Sequence, residues 1–180
     1  MVIDEAEAIA RLERGEVVAL PTDTVYGVAT IVGASSALFA MKERPADVAL
    51  PVLIAEPSEA LHYMTFESDV ADHWPGALTI VGARTAASQD WDLGGTNQTI
   101  GLRCPDDDQL RRICRAVGPL VTTSANKHGR PACTSADEVI ATLGDIPVLD
   151  GGIRNGEPST VVDATQTPLR VLRQGAVVIG

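Results

Sequence analysis

Apolar positions along this chain switch repeatedly between two spacings. Residues 4–14 form an acidic, amphipathic segment of helical period, with Asp4 and Glu7 as an N-terminal box and Gly15 as the stop. EVVAL (16–20) reads as a strand and runs into a proline and a threonine-rich loop, Thr22-Asp23-Thr24. SSALFAMKER (35–44) predicts a second helix, ended by Pro45. PVLIA (51–55) predicts a short buried strand, 57–73 is helical in part, and Trp74-Pro75-Gly76 breaks it. ALTIVGA (77–83) predicts a strand and 84–98 a polar, Gly-rich loop.

TIGLR (99–103) predicts a strand that ends in arginine, and 105–118 a helix with acids in its first turn and arginines toward its end, matching the helix dipole. PLVTT (119–123) is a strand and 124–134 a loop. Ser135 and Glu138 form a capping box that opens a helix over 135–144. IPVLD (146–150) is a strand, 151–159 a loop, and STVVD (159–163), LRVLR (169–173) and AVVIG (176–180) are closing strands. Strands and helices alternate for most of the length. The expected fold is therefore a single α/β domain over 1–180, with a twisted mixed β-sheet and packed helices.

Composition narrows the function classes. With 180 residues the chain buries a real core without staples. No apolar run approaches a membrane span, and the acidic start lacks the basic and apolar regions of a signal peptide. The three cysteines, Cys104, Cys114 and Cys133, are odd in number and show no C-x-x-C spacing, so a reducing cytoplasm is the simplest setting. Net charge is −10 and aromatics are 3%, which argues against a stacking, groove-lining nucleic-acid binder.

Candidate chemistry clusters at strand ends, where open α/β sheets bind ligands. The segments are Thr22-Asp23-Thr24, Arg103, Ser124-Ala125-Asn126, Gly151 to Ser159, and Arg173; Lys42-Glu43-Arg44 closes a helix. Each also has a plain structural reading. The threonines and Ser124 could satisfy their own turns, and Lys42 and Arg44 could answer a helix dipole. Together, four basic groups and four hydroxyls around one basic concavity would suit a phosphate-bearing ligand with an amino-acid moiety. Other chemistries fail: there is no P-loop and no G-x-G-x-x-G after a strand, and His62, His73 and His128 lack metal-ligand spacing. Ser124-Ala-Asn-Lys127 matches S-x-x-K but has no accompanying K-T-G.

These residues also carry a resemblance. LPTDTVYGVAT, KERPADVALPVLI, WPGALTIV, TIGLRCPDD, VTTSANKHGRPA, DGGIRNGEPSTVVD and LRQG stand in the order seen in the YrdC-like family, the threonylcarbamoyl-AMP synthases. The resemblance implies condensation of L-threonine, bicarbonate and ATP, with Mg²⁺, to threonylcarbamoyl-adenylate and diphosphate. That product serves N6-threonylcarbamoyladenosine formation on tRNAs reading ANN codons, through downstream tRNA threonylcarbamoyl-transferase proteins. It implies threonine contacts at Thr22, Arg103, Thr122 and Ser159. It implies ATP contacts at Lys42, Arg44, Thr99, Ser124, Asn126, Arg130 and Arg173, with Lys42 and Arg44 as the catalytic cations, and no protein-built metal site. Asp23 stands where many members carry glutamate, Leu53 where longer members carry histidine, and Ala77 where proline is common. Ending at Gly180, the chain resembles the short, single-domain type. The other reading of a basic concavity is a module that holds double-stranded RNA or tRNA without chemistry.

Overall fold

The structure, a computed structural model, describes residues 1–42, 48–66, 69–127 and 129–179. Arg44 and His128 lie outside the described residues. The elements are β1 (Val2–Ile3), α1 (Glu5–Glu13), β2 (Val18–Pro21), β3 (Tyr26–Ile31), α2 (Ser36–Lys42), β4 (Val52–Leu53), α3 (Ala60–Tyr63) and β5 (Met64–Thr65). There follow β6 (Leu78–Arg84), β7 (Thr99–Arg103), α4 (Asp108–Val117), β8 (Leu120–Ser124), α5 (Ala136–Leu143), β9 (Val148–Leu149), β10 (Thr160–Asp163) and β11 (Arg170–Arg173). The strands join one sheet in the order β1-β9-β2-β3-β8-β4-β7-β6-β10-β11, with β5 paired to β6. Parallel pairs (β1/β9, β2/β9, β4/β7, β6/β10) mix with antiparallel ones, as expected for a mixed sheet.

Caps fix the helices. Asp4 accepts the Glu7 N–H at 2.8 Å, Asp107 accepts that of Leu110 at 2.9 Å, and Ser135 accepts that of Glu138 at 3.2 Å. The box at α5 is shifted by one residue, because the Glu138 carboxylate reaches the Thr134 N–H at 2.7 Å rather than that of Ser135.

Several expectations change. YGVATI, to which the sequence pattern assigns no element, is the central strand β3, paired with both β2 and β8. Its glycine and threonine dilute the β pattern, while a hydrogen-bonded neighbour on each side supplies what propensity does not. Met64–Thr65, within a segment read as partly helical, pairs with β6. Val2–Ile3 pairs with β9. PVLIA contracts to Val52–Leu53, and Ala176–Ile179 is not a strand.

The sheet is buried on two faces, and the side-chain period of two decides which residue goes where. On one face Val18, Leu20, Ala29, Leu53 and Leu120 pack with Ala8 and Leu12 of α1 and Leu110 and Ile113 of α4. On the other, Ala19, Val28, Val52, Ile80, Leu102, Val121 and Val162 pack with Leu38, Trp74 and Val139. β2 contributes to both clusters, which explains its unbroken apolar run. Helices α1 and α4 cover only part of the first face. Continuing the register across that face gives Gly27, Thr122, Ser124, Pro51, Gly101, Arg103 and Thr79, and these residues line a cavity.

Candidate active site

The cavity measures about 480 Å³, within the roughly 300–1,000 Å³ of small-molecule sites. Strand-end residues converge on it as expected, but its floor is the open sheet face and not a crevice beyond the strand ends. Thr22, Thr99, Arg103, Thr122, Ser124, Asn126, Ser159 and Arg173 all line it, together with Thr24, Thr79 and Thr123. Two backbone approaches require glycine. A Cβ on Gly27 would lie 2.9 Å from the Thr122 hydroxyl, and one on Gly175 would lie 2.2 Å from the Pro158 carbonyl.

Thr22 opens the β2–β3 turn. Its hydroxyl donates to the Val25 carbonyl at 2.7 Å and accepts from the backbone N–H groups of Thr24 and Val25 at 3.1 and 3.2 Å. The self-satisfying turn is thus real, and Thr22 meets the cavity with a hydroxyl already committed to backbone. Thr24 is bonded to Thr22 and to Arg103.

Arg103 ends β7 and is only 7% exposed. It donates from Nε to the Gly76 carbonyl at 3.2 Å, from Nη1 to Thr24 Oγ1 at 3.1 Å, and from Nη2 to Asp23 Oδ1 at 2.5 Å. A guanidinium has five N–H donors, so these three bonds leave one on each Nη. In the sequence Asp23 stands out only as a departure from the family pattern; the folded turn is what brings it to Arg103.

Ser159 precedes β10. Its hydroxyl pairs with that of Thr79 at 3.1 Å and accepts from Arg173 Nη2 at 3.1 Å. Arg173 also donates to the Ser159 carbonyl from Nε at 3.1 Å and Nη2 at 2.7 Å. Arg173 is exposed as a residue, yet partial loss of water around its guanidinium, then repulsion from Arg103, lowers its pKa from the usual arginine value. The loop before Ser159 is pinned at several points, and among them the Arg154 N–H donates to the Thr134 carbonyl at 2.8 Å. The buried Tyr26 hydroxyl donates to the Gly152 carbonyl and accepts from the Gly151 N–H, both at 2.9 Å; Gly156 N–H donates to the Thr24 carbonyl at 3.2 Å; and Arg154 pairs with Asp107 at 3.2 Å. Burial raises the Tyr26 pKa above the ordinary phenol value.

At the other side of the cavity, Lys42 and Arg130 do not line the wall but act on the loop that does. Lys42 Nζ, at the end of α2, donates to the Ser124 carbonyl at 3.0 Å, to Asn126 Oδ1 at 2.7 Å and to the Asn126 carbonyl. Ser124 Oγ donates to Asn126 Oδ1 at 3.0 Å, and Asn126 Nδ2 donates to the Arg130 carbonyl at 2.6 Å. Arg130's own side chain is exposed and outside the lining. The Thr99 carbonyl is held by Arg84 Nε at 2.9 Å. The wall carries two charged side chains among the described residues, Arg103 and Arg173, and no carboxylate. Among the described residues no cluster of His, Cys, Asp or Glu could hold a metal ion, and no helix is long and apolar enough to cross a membrane.

The sequence pattern of the Sua5/YciO/YrdC family, described as telomere recombination, matches residues 10–175. A Mycobacterium leprae protein is 36% identical over 183 residues, spanning 96% of this chain and 83% of its own length. A Vibrio cholerae protein named threonylcarbamoyl-AMP synthase is 33% identical over 183 residues, spanning 94% of this chain and 96% of its own. The crystal structure of P. abyssi Sua5 complexed with L-threonine superposes with a TM-score of 0.86 at 29% identity, covering 97% of this chain, which spans 57% of the length of that protein. The chain belongs to the Sua5/YciO/YrdC family.

Proposed function

We propose that the cavity condenses L-threonine, bicarbonate and ATP to threonylcarbamoyl-adenylate and diphosphate, so that the chain is a threonylcarbamoyl-AMP synthase, a nucleotidyltransferase. The observation that carries this reading is the joining of two unlike halves in one cavity. One half holds an oriented guanidinium and hydroxyls, Arg103, Thr24 and Ser159; the other holds the Ser124–Asn126 loop braced by a lysine. The relatives named for this reaction support it.

In the proposed arrangement Thr22, Arg103, Thr122 and Ser159 take threonine. Arg103 offers its two remaining N–H donors to the carboxylate, and a planar fork suits that group. Lys42, Thr99, Ser124, Asn126, Arg130 and Arg173 serve ATP, together with Arg44, which lies outside the described residues. Threonine's amine must be neutral to react. Its nitrogen bonds to the carbon of bicarbonate as a C–O bond breaks and water leaves with the amine proton. A carbamate oxygen then bonds to the α-phosphorus as the bond to diphosphate breaks. Negative charge grows on the leaving diphosphate, where fixed cations lower the barrier. Arginine stays protonated at neutral pH, so Arg44, Arg130 and Arg173 act as charges and not as bases. The carboxylate-free wall fits a Mg²⁺ ion held by ATP phosphates and water; the ion would neutralise phosphate charge.

The product would serve N6-threonylcarbamoyladenosine formation on tRNAs reading ANN codons, by passage to tRNA threonylcarbamoyl-transferase proteins in the cytoplasm. Two basic side chains in a concave wall and a net charge of −10 favour small-molecule chemistry over direct tRNA binding. Incubation with threonine, bicarbonate, ATP and Mg²⁺ should release diphosphate only when all are present. Release that ignores threonine, or none at all, would overturn the proposal.

A further inference from the structure

We infer that Thr79 is a further substrate-positioning residue, which with Ser159 presents one polarised O–H donor to an anionic oxygen of the amino-acid half. This deepens the proposed function and rests on it. Thr79 sits on β6 opposite Val161 of β10, is 5% exposed, and faces the cavity through the same alternation that places Val81 there. On the neighbouring strand Gly101 carries no side chain, and a Cβ built there would lie in ordinary contact, 3.5 Å from the Thr79 methyl.

The proton count gives the pair its chemistry. Two hydroxyls 3.1 Å apart hold two protons and share one hydrogen bond. Arg173 Nη2 donates into Ser159 Oγ and takes one of its lone pairs. Whichever hydroxyl donates to the other, one proton is left over. If Thr79 donates to Ser159, the Ser159 proton is free; if Ser159 donates to Thr79, the Thr79 proton is free. A cation hydrogen-bonded to the pair polarises that remaining O–H.

Charge decides what it meets. Arg103 is already balanced by Asp23 at 2.5 Å, whereas Arg173 makes no ion pair among the described residues. The uncompensated positive charge on the wall therefore lies at the Thr79–Ser159 end, and an anionic oxygen is favoured there. Arg173, which serves ATP in the proposed arrangement, reaches the amino-acid half through Ser159, and two oxygens there have that chemistry: the threonine carboxylate and the carbamate formed on its amine.

Thr79→Val, which keeps the shape and removes the hydroxyl, tests this beside Thr79→Ser and the wild type. Threonine binding alone reports the carboxylate; diphosphate release with bicarbonate varied reports the carbamate. The valine variant should lose about tenfold or more in one of these two measurements, from the loss of a hydrogen bond to a charged group. Thr79→Ser should restore it, and ATP binding measured separately should stay within about twofold. If the valine variant does not fold, Thr79→Ala takes its place with the same expectation. A valine or alanine variant equal to an active wild type in both measurements overturns the inference about Thr79. Equal loss of ATP and threonine binding also overturns it, since that is the mark of a merely structural role. A wild type that neither binds threonine nor releases diphosphate overturns the proposed function itself.

Discussion

Arg103 and Asp23 form an ion pair of 2.5 Å whose side chains are only 8% and 12% exposed. The pair holds a nearly buried guanidinium in place at the cavity wall before any ligand arrives. Removing one partner of a buried pair leaves a charge without its counterion, which costs about 3–5 kcal/mol in well-buried cases. Asp23→Asn should therefore lower the melting temperature of the free protein. The incoming carboxylate of threonine would then replace the missing counterion. Saturating threonine should raise the melting temperature of the variant more than that of the wild type. An equal rise in both would mean that the substrate carboxylate does not meet Arg103.

Arg103→Lys should weaken threonine more than ATP. Lysine keeps the charge but loses the planar fork, along with the separate bonds to Gly76, Thr24 and Asp23. Loss of one hydrogen bond to a charged group is worth about 1.5–3 kcal/mol, or roughly ten- to a hundredfold in threonine affinity. Calorimetric titration with each ligand separately checks the split. Weakening confined to ATP would place Arg103 in the other half of the site.

Lys42→Ala should keep the fold and lose most adenylation. In the free protein Lys42 is bonded to the carbonyls of Ser124 and Asn126 and to Asn126 Oδ1, so the variant loses both a cation and the brace of the loop. The proposed loss of a contact made in the transition state amounts to about 2–4 kcal/mol of barrier. Single-turnover diphosphate release measures it. Wild-type rates would reduce Lys42 to a helix-end charge.

Much of this architecture is legible in the sequence. TIGLR, the Asp107-capped helix and the Ser135 cap stand out because caps and β-branched runs are local signals. β3 is not legible, since YGVATI owes its strand conformation to β2 and β8 on either side. Lys42 and Arg103 are visible as charges at element ends, but their partners lie 82 and 80 residues away in sequence, at Ser124 and Asp23. Thr79 is hidden inside an apolar strand. Its one signal is alternation, ALTIVGA placing Thr79 and Val81 on one face and Leu78 and Ile80 on the other. Which face holds the cavity emerges only from the register of seven strands.

Tyr26→Phe should destabilise the loop that delivers Ser159. The hydroxyl bridges the Gly151 N–H and the Gly152 carbonyl, and its removal leaves both to water or unpaired. A loss of about 1–2 kcal/mol in unfolding free energy is expected, from the shift in a denaturant midpoint. The Michaelis constant for threonine should rise with it. A stable variant with wild-type kinetics would show that the loop is held by its other anchors.

The cysteines should be idle. All three are buried and free, and burial pushes the Cys104 thiol up to about 11 and that of Cys114 higher still. At pH 8 roughly one Cys104 in a thousand is a thiolate, the form that alkylates. Native protein should resist iodoacetamide at pH 8 and retain turnover after treatment. Rapid labelling with loss of activity and intact folding would contradict this.

The central claim is tested most directly by following the carbon. Protein incubated with L-threonine, ATP, Mg²⁺ and carbon-13 bicarbonate should yield threonylcarbamoyl-adenylate carrying the heavy carbon, with one diphosphate released per adenylate formed. Mass spectrometry of the quenched mixture reads both. A product without the label, or diphosphate released without any threonine-containing adenylate, would contradict the assignment of this cavity to threonylcarbamoyl-AMP synthesis.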